Sequence, residues 1–105
     1  MLDVPEDSRY EARRDGAVLG FAAYQRTEEL VIFTHTEVDP SLAGQGVGGA
    51  LVKGALDHVR GLGLRVLPIC PFVHAWMLTH PEYAELDYRQ PARSSSTETP
   101  TAGRT

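Results

Sequence analysis

Residues 43–49 of this chain are a glycine-rich turn, Ala43-Gly44-Gln45-Gly46-Val47-Gly48-Gly49, and the rest of the fold can be predicted outward from it. A glycine inside a helix costs up to about 1 kcal/mol relative to alanine, so a helix that begins among glycines needs a reason to keep them. Glycines leave the backbone open to a bulky ligand, and the N–H groups of a first helical turn attract anions. The stretch therefore predicts a diphosphate-binding turn at the start of a helix.

The residues that follow the glycines have helical periodicity. Small and apolar residues recur at three- and four-residue steps from Val47 to Leu62, while charged residues occupy the other positions. The short apolar run Leu64–Cys70 predicts a strand, covered on both faces, in which Pro68 favours an edge or a divergence from the neighbouring strand. Pro71 then suits the first position of a second helix that extends to about Thr79.

Three strands are expected before the glycines. Asp15-Gly16 favours a tight hairpin turn between Arg9–Arg14 and Ala17–Arg26, and a short polar turn leads to Leu30–Val38. The predicted fold is thus α/β (α+β), a mixed sheet in the order β-β-β-α-β-α. Three antiparallel strands come first. A right-handed crossover helix then connects the third of them to a fourth strand that runs parallel to it.

Strict alternation along Leu30–Val38 would place Val31, Phe33, His35 and Glu37 on one face and the remaining residues on the other. That arrangement predicts a carboxylate, Glu37, on an otherwise apolar face.

Length and composition allow one small domain. Residues 1–88 are expected to form it, and residues 89–105 are predicted to be a disordered Ser/Thr/Pro-rich tail, because they hold too few apolar groups to offset the entropy of ordering. The 105 residues include 14 acidic and 10 basic side chains, for a net charge of −4, which argues against nucleic acid or an anionic membrane surface as a partner. No apolar run is long enough to span a membrane, and the expected location is cytoplasmic.

A metal site is not expected. Cys70 is the single cysteine, and the four histidines have none of the spacings typical of zinc ligands.

Three other interpretations of the glycines compete with the one given above. A dinucleotide-binding Rossmann turn needs its glycines directly after a strand, whereas five residues separate Val38 from Gly44. A P-loop needs a Gly-Lys-Ser/Thr sequence, and Lys53 has neither neighbour. A glycine-rich connection that binds nothing also fits the composition, although it does not explain why the glycines enter the helix.

The chain resembles the GCN5-related N-acetyltransferase (GNAT) superfamily. The resemblance lies in the strand end His35-Thr36-Glu37-Val38, the glycine turn and the helix that follows. The segments 67–73 and 80–83 resemble in particular a branch of small single-domain members. This resemblance implies acetyl-CoA as cosubstrate, an amine as acceptor, and a splay between the third strand and the strand after the helix that admits the thioester.

The resemblance also implies which residues hold the cofactor. The superfamily's loop binds the pyrophosphate of coenzyme A through backbone N–H groups, with Gly46 and Gly48 at its required small positions. Ala43 stands where an Arg or Gln is usual, which removes a side-chain phosphate contact and implies weaker binding. Thr36 to Val38 would pair with the pantetheine amides as an added strand does. The implied cofactor-binding residues are Thr36, Val38, Ala43, Gly44, Gln45, Gly46, Val47, Gly48 and Gly49.

Acetyl transfer needs a neutral amine, and three residues are candidates for catalysis. Glu37 is either a general base or an exposed carboxylate. His35 can accept a proton at neutral pH or be a packed strand residue. Cys70 is either a nucleophile, favoured as the thiolate by the N-terminus of the following helix, or a small buried hydrophobe. The superfamily's tyrosine acid has no clear equivalent, since Tyr83 follows a shortened second helix.

Two functions follow from these observations. The first is an N-acetyltransferase that transfers acetyl to an amine of a small molecule or a protein, either directly or through acetyl-Cys70. The second is a CoA-binding module or regulator without efficient catalysis. Either would act as a monomer or as a weak homodimer whose second copy completes the acceptor pocket.

Overall fold

The computed structural model describes residues 1–42 and 44–89, which form one five-stranded sheet with two α-helices. The strands are β1 (Leu2–Val4), β2 (Arg9–Arg14), β3 (Ala17–Arg26), β4 (Leu30–Val38) and β5 (Arg65–Pro68). The helices are α1 (Val47–Gly61) and α2 (Pro71–Leu78), and short 3-10 turns cover Pro5–Asp7, Pro40–Leu42 and Pro81–Leu86.

The sheet follows the chain order β1-β2-β3-β4-β5. Pairing is antiparallel from β1 to β4 and parallel between β4 and β5, with α1 as the crossover connection. The predicted fold class is therefore confirmed, including the parallel strand at the end. The short first strand was not predicted, because three residues next to Pro5 are too few to show an alternating pattern.

The hydrophobic core lies between one face of the sheet and the two helices. Tyr10 of β2 and Phe33 of β4 are almost completely buried there, with ring centroids 6.1 Å apart. The helices contribute side chains that share burial against this face: Leu51, Val52, Ala55, Leu56 and Val59 from α1, and Val73 and Met77 from α2. Within the described residues, neither helix covers the opposite face, which we call the open face.

A β-bulge in β4 changes the faces that strict alternation predicted. Ala23 of β3 pairs with His35, but the next residue, Tyr24, pairs with Phe33, so Thr34 is an extra residue on β4. His35 and Glu37 therefore lie on the open face, opposite the buried Phe33. The prediction that all of them share one face is wrong, because a single inserted residue reverses the alternation beyond it.

The strand β5 is the edge of the sheet, as Pro68 led us to expect. Its last pair with β4 is Phe33 with Pro68, after which β4 continues to Val38 while the other chain turns into α2. The alternate burial of β5, with Arg65 and Leu67 only half-buried, contradicts the expectation of a strand covered on both faces. The two strands thus separate beyond Phe33, and the edge of β4 from residue 34 to 38 faces this gap.

Candidate functional site

The glycine turn begins α1 with backbone N–H groups that point outward. Gly46 is the N-cap residue of α1 with φ of +79°, and no side chain caps the helix. The first bond of the helical ladder joins the Ala50 N–H to the Gly46 carbonyl at 3.0 Å. Within the described residues, the N–H groups of Val47, Gly48 and Gly49 have no acceptor. This end of α1 can therefore bind an anion.

A shallow pocket of about 240 Å³ lies beside the turn. Gly44, Gly46, Gly48 and Gly49 form one side of it. The other side is apolar and consists of Val38 at the end of β4, Leu42 and the Phe72 ring from α2. The pocket thus connects the free N–H groups of α1 with the unpaired edge of β4.

The gap between β4 and β5 contains Cys70. This residue is the N-cap of α2 and is 3% exposed, and its backbone N–H donates to the Phe33 carbonyl at 2.8 Å. Its thiol donates to the Thr36 hydroxyl, with the two atoms 3.3 Å apart. The structure therefore brings together Thr36, predicted to bind the cofactor, and Cys70, predicted to be catalytic.

His35 and Glu37 form a second pair on the open face. Nε2 of the imidazole lies 2.8 Å from a carboxylate oxygen of Glu37, and both side chains are more than half exposed. Since the bulge turns these residues away from the core, β4 itself separates this pair from Cys70 and Thr36. The three catalytic candidates thus lie on two sides of one strand.

A pocket of about 410 Å³ on the open face includes Glu37, and it was not predicted from the sequence. Phe21, which pairs with Glu37 across the strands, forms part of its lining, and the Arg9 guanidinium lies 4.7 Å from the centroid of that ring. Both Arg9 and Arg13 hydrogen-bond the buried carboxylate of Glu11 and lower its pKa, the Arg13 bond being the larger cause. The pairing of Phe21 with Glu37 follows from the register of β3 and β4, which can be worked out only when the bulge at Thr34 is known.

Tyr83 does not supply a free hydroxyl to the gap. Its hydroxyl donates to Asp57 of α1 at 2.6 Å, and this bond is the main reason that the pKa of Tyr83 is raised. The pKa of Asp57 is lowered, first by Lys53 and then by Tyr83. The general acid thus stays unassigned, as the sequence left it.

Two of the other predictions concern residues outside the described ranges. Ala43 lies outside them, as does the predicted tail beyond Arg89. Among the residues that are described, no three His, Cys, Asp or Glu side chains are grouped to hold a metal ion. Neither described helix has the length and apolar character needed to cross a membrane.

Comparison with known proteins agrees with this geometry. The family model described as GCN5-related N-acetyl-transferase matches residues 9–86. This range includes both helices and all strands except β1. The chain belongs to this family.

A solved structure has the same fold. The solution NMR structure of a GCN5-like protein from Staphylococcus aureus has a TM-score of 0.62 and 22% sequence identity to this chain. The match covers 85% of this chain and 89% of the other. Among curated proteins, none matches the chain significantly. The structural likeness supports the fold, and the family is one of N-acetyltransferases.

Proposed function

We propose that this protein binds acetyl-CoA and transfers its acetyl group to an amine. The observation that supports this most is the pocket in which the free N–H groups at the start of α1 meet Val38, at the end of β4, and Phe72, two residues after Cys70. An extended ligand that places its pyrophosphate on the N–H groups of Val47 to Gly49 would follow the free edge of β4. Its thioester would then lie in the gap beside Thr36 and Cys70.

The residues present suit the pyrophosphate and pantetheine parts of this ligand. Backbone N–H groups at a helix N-terminus attract the charge of a diphosphate without any side chain. The unpaired edge of β4 offers N–H and C=O groups to the amides of pantetheine in the manner of an added strand. The chain therefore offers a binding surface for coenzyme A, although the sequence has Ala43 where an Arg or Gln is usual in the superfamily.

Acetyl transfer through Cys70 is the proposed first step. The Cys70 thiol gives its proton to water, and the thiolate attacks the acetyl carbonyl carbon while the hydroxyl of Thr36, 3.3 Å away, donates to sulfur. The bond between that carbon and the sulfur of coenzyme A breaks, and coenzyme A leaves as the thiol after taking up a proton. Cys70 now carries the acetyl group as a thioester.

Transfer to the amine is the proposed second step. The acceptor enters the gap beyond Phe33, where β5 no longer covers the edge of β4, and its proton passes through water around this edge to Glu37 and its partner His35. The amine nitrogen bonds to the acetyl carbon and the bond to the Cys70 sulfur breaks. The proton held by the Glu37–His35 pair returns through water to this sulfur. The amide product leaves and the thiol is restored.

The single cysteine makes a sharp test of the first step. After incubation with acetyl-CoA and without acceptor, intact-protein mass spectrometry is expected to show one added acetyl group that hydroxylamine removes. Peptide mapping should place it on Cys70, and Cys70→Ala should lack it. If Cys70→Ala transfers acetyl to an amine at the wild-type rate, the route through cysteine is wrong and direct transfer remains.

The role of Glu37 is tested in the second step. We expect Glu37→Gln to form acetyl-Cys70 as the wild type does but to lose it to an amine about a hundredfold more slowly, a usual effect of removing a general base. Glu28→Gln, which changes an exposed carboxylate in the turn between β3 and β4, is the matched control. Equal discharge rates in all three proteins would remove Glu37 from the mechanism.

A second function, a CoA-binding module without turnover, is favoured by one observation. The Tyr83 hydroxyl is held by Asp57, so it offers no proton to a leaving thiolate at the gap. Titration calorimetry with acetyl-CoA combined with an assay of thiol release over a panel of amines and peptides separates the two functions. Heat of binding without thiol release supports the module, and release above the rate of free acetyl-CoA hydrolysis supports the enzyme.

A further inference from the structure

The side chain of Phe72 lies directly against the glycine turn. Phe72 is the second residue of α2, and its ring tip reaches the first turn of α1. A Cβ atom built on Gly48 would lie 2.7 Å from the Phe72 Cζ atom, closer than real Cβ contacts allow. Gly48 therefore has a second explanation besides ligand access, namely the close approach of this ring.

The ring is only partly covered by this contact. Phe72 is 44% exposed, whereas the next residue, Val73, is completely buried. Together with Val38 and Leu42, Phe72 forms the apolar side of the pocket beside the turn. An aromatic ring that is fixed on one edge and open on the other is well placed to bury the apolar part of a ligand.

The position of the ring along the ligand path limits what that part is. Phe72 lies two residues after Cys70 on the same helix, and its ring tip touches the turn that offers free N–H groups. A ligand that extends from those N–H groups to the Cys70 sulfur therefore runs close to the Phe72 ring, which lines the pocket beside the turn. In coenzyme A the portion between the pyrophosphate and the sulfur is the pantetheine arm.

We infer that Phe72 is a positioning residue that packs on the pantetheine arm of coenzyme A and directs its thioester to Cys70. This inference rests on the proposed function, since it needs coenzyme A as the ligand. It also explains why an apolar ring stays exposed at the mouth of a pocket whose opposite side is backbone.

Binding of two ligands to Phe72→Ala tests the inference. Calorimetry should show coenzyme A bound about tenfold more weakly than by the wild type, equivalent to about 1.4 kcal/mol. Adenosine 3′-phosphate 5′-diphosphate has the pyrophosphate of coenzyme A but no pantetheine. It should bind to the wild type and to Phe72→Ala with equal affinity. Phe72→Leu, which keeps an apolar side chain, should recover most of the lost affinity.

A matched control and two contrary outcomes complete the test. Leu78→Ala removes another exposed apolar side chain of α2, 71% exposed, and should change neither affinity. If Phe72→Ala weakens both ligands equally, the ring only supports the turn and the inference is wrong. Unchanged coenzyme A binding in Phe72→Ala also overturns it and leaves the proposed function standing, whereas absence of binding by the wild type overturns both.

Discussion

Among single residues, the glycines of the turn have two different structural roles: some allow a left-handed backbone conformation, and one allows the close approach of a side chain. Gly44 and Gly46 have φ of +83° and +79°, in the left-handed region that side chains disfavour, and a Cβ at either would meet nothing within 4 Å. Gly48 instead makes room for the Phe72 ring. A substitution at the first two would therefore strain the backbone, and one at Gly48 would displace a side chain.

We expect Gly46→Ala to lower the free energy of unfolding by about 1 to 2 kcal/mol, the cost of placing a side chain in the left-handed region. The measurement is urea unfolding followed by circular dichroism. Gly61→Ala is the matched control, since Gly61 ends α1 without a positive φ and with open space around it. That change should be neutral or stabilise by up to about 1 kcal/mol. Equal effects of the two substitutions would contradict the conformational explanation.

At the scale of secondary-structure elements, local signals account for most of what the sequence predicted. The bounds of β2, β3 and β4 agree with the prediction because Asp15-Gly16 and the polar residues 27–29 mark their ends. The bulge could not be predicted, because Thr34 is as compatible with regular alternation as with an insertion. The faces of His35 and Glu37 were consequently wrong, although the residues themselves were singled out.

Part of the candidate site was also predictable, because the signals for that part are local in the sequence. The glycine turn and the position of Cys70 at a strand end follow from neighbours in sequence. The contact between Cys70 and Thr36 joins residues 34 positions apart and depends on where β4 and β5 separate. Long-range register of this kind has no signature in a single sequence.

The bond between α1 and the turn Pro81–Leu86 gives a prediction about pH. The pKa of Asp57 is lowered in the folded protein, so its contribution to stability is complete above the ordinary pKa of 3.8 and is lost as pH falls through the lowered value. Tyr83→Phe removes one hydrogen bond to this carboxylate. Since Asp57 is 44% exposed, we expect a loss of only about 1 kcal/mol at pH 7.

Urea unfolding at several pH values checks this prediction. The difference between wild type and Tyr83→Phe should shrink below about pH 4, as protonation of Asp57 weakens the bond in the wild type. Tyr88→Phe alters a half-exposed tyrosine near the end of the described chain and should show no such trend. A difference that is constant from pH 7 to pH 2.5 would mean that the hydroxyl stabilises the fold independently of the Asp57 charge.

At the level of the whole molecule, both helices pack on one face of the sheet, and no segment among residues 1–42 and 44–89 forms a second layer on the open face. The last described segment, residues 81–89, closes one end of the core. Leu86 is buried, and the Tyr88 N–H donates to the Val66 carbonyl at 2.7 Å on the outer edge of β5. We propose on this basis that the folding unit ends close to Arg89, whose backbone N–H donates to Asp87.

Two truncated chains test this boundary. A chain that ends at Arg89 should keep the Tm of the full chain, because the described core and the contacts of Asp87 and Tyr88 are intact. A chain that ends at Glu85 loses the buried Leu86 and the bonds on the edge of β5, including the Arg65 bond to the Asp87 carbonyl at 2.8 Å. Removing a buried leucine side chain costs at least about 2 kcal/mol, which in a domain of this size lowers Tm by roughly 8 to 16 °C. Differential scanning calorimetry measures both, and a lower Tm for the chain that ends at Arg89 would show that residues 90–105 contribute to the fold.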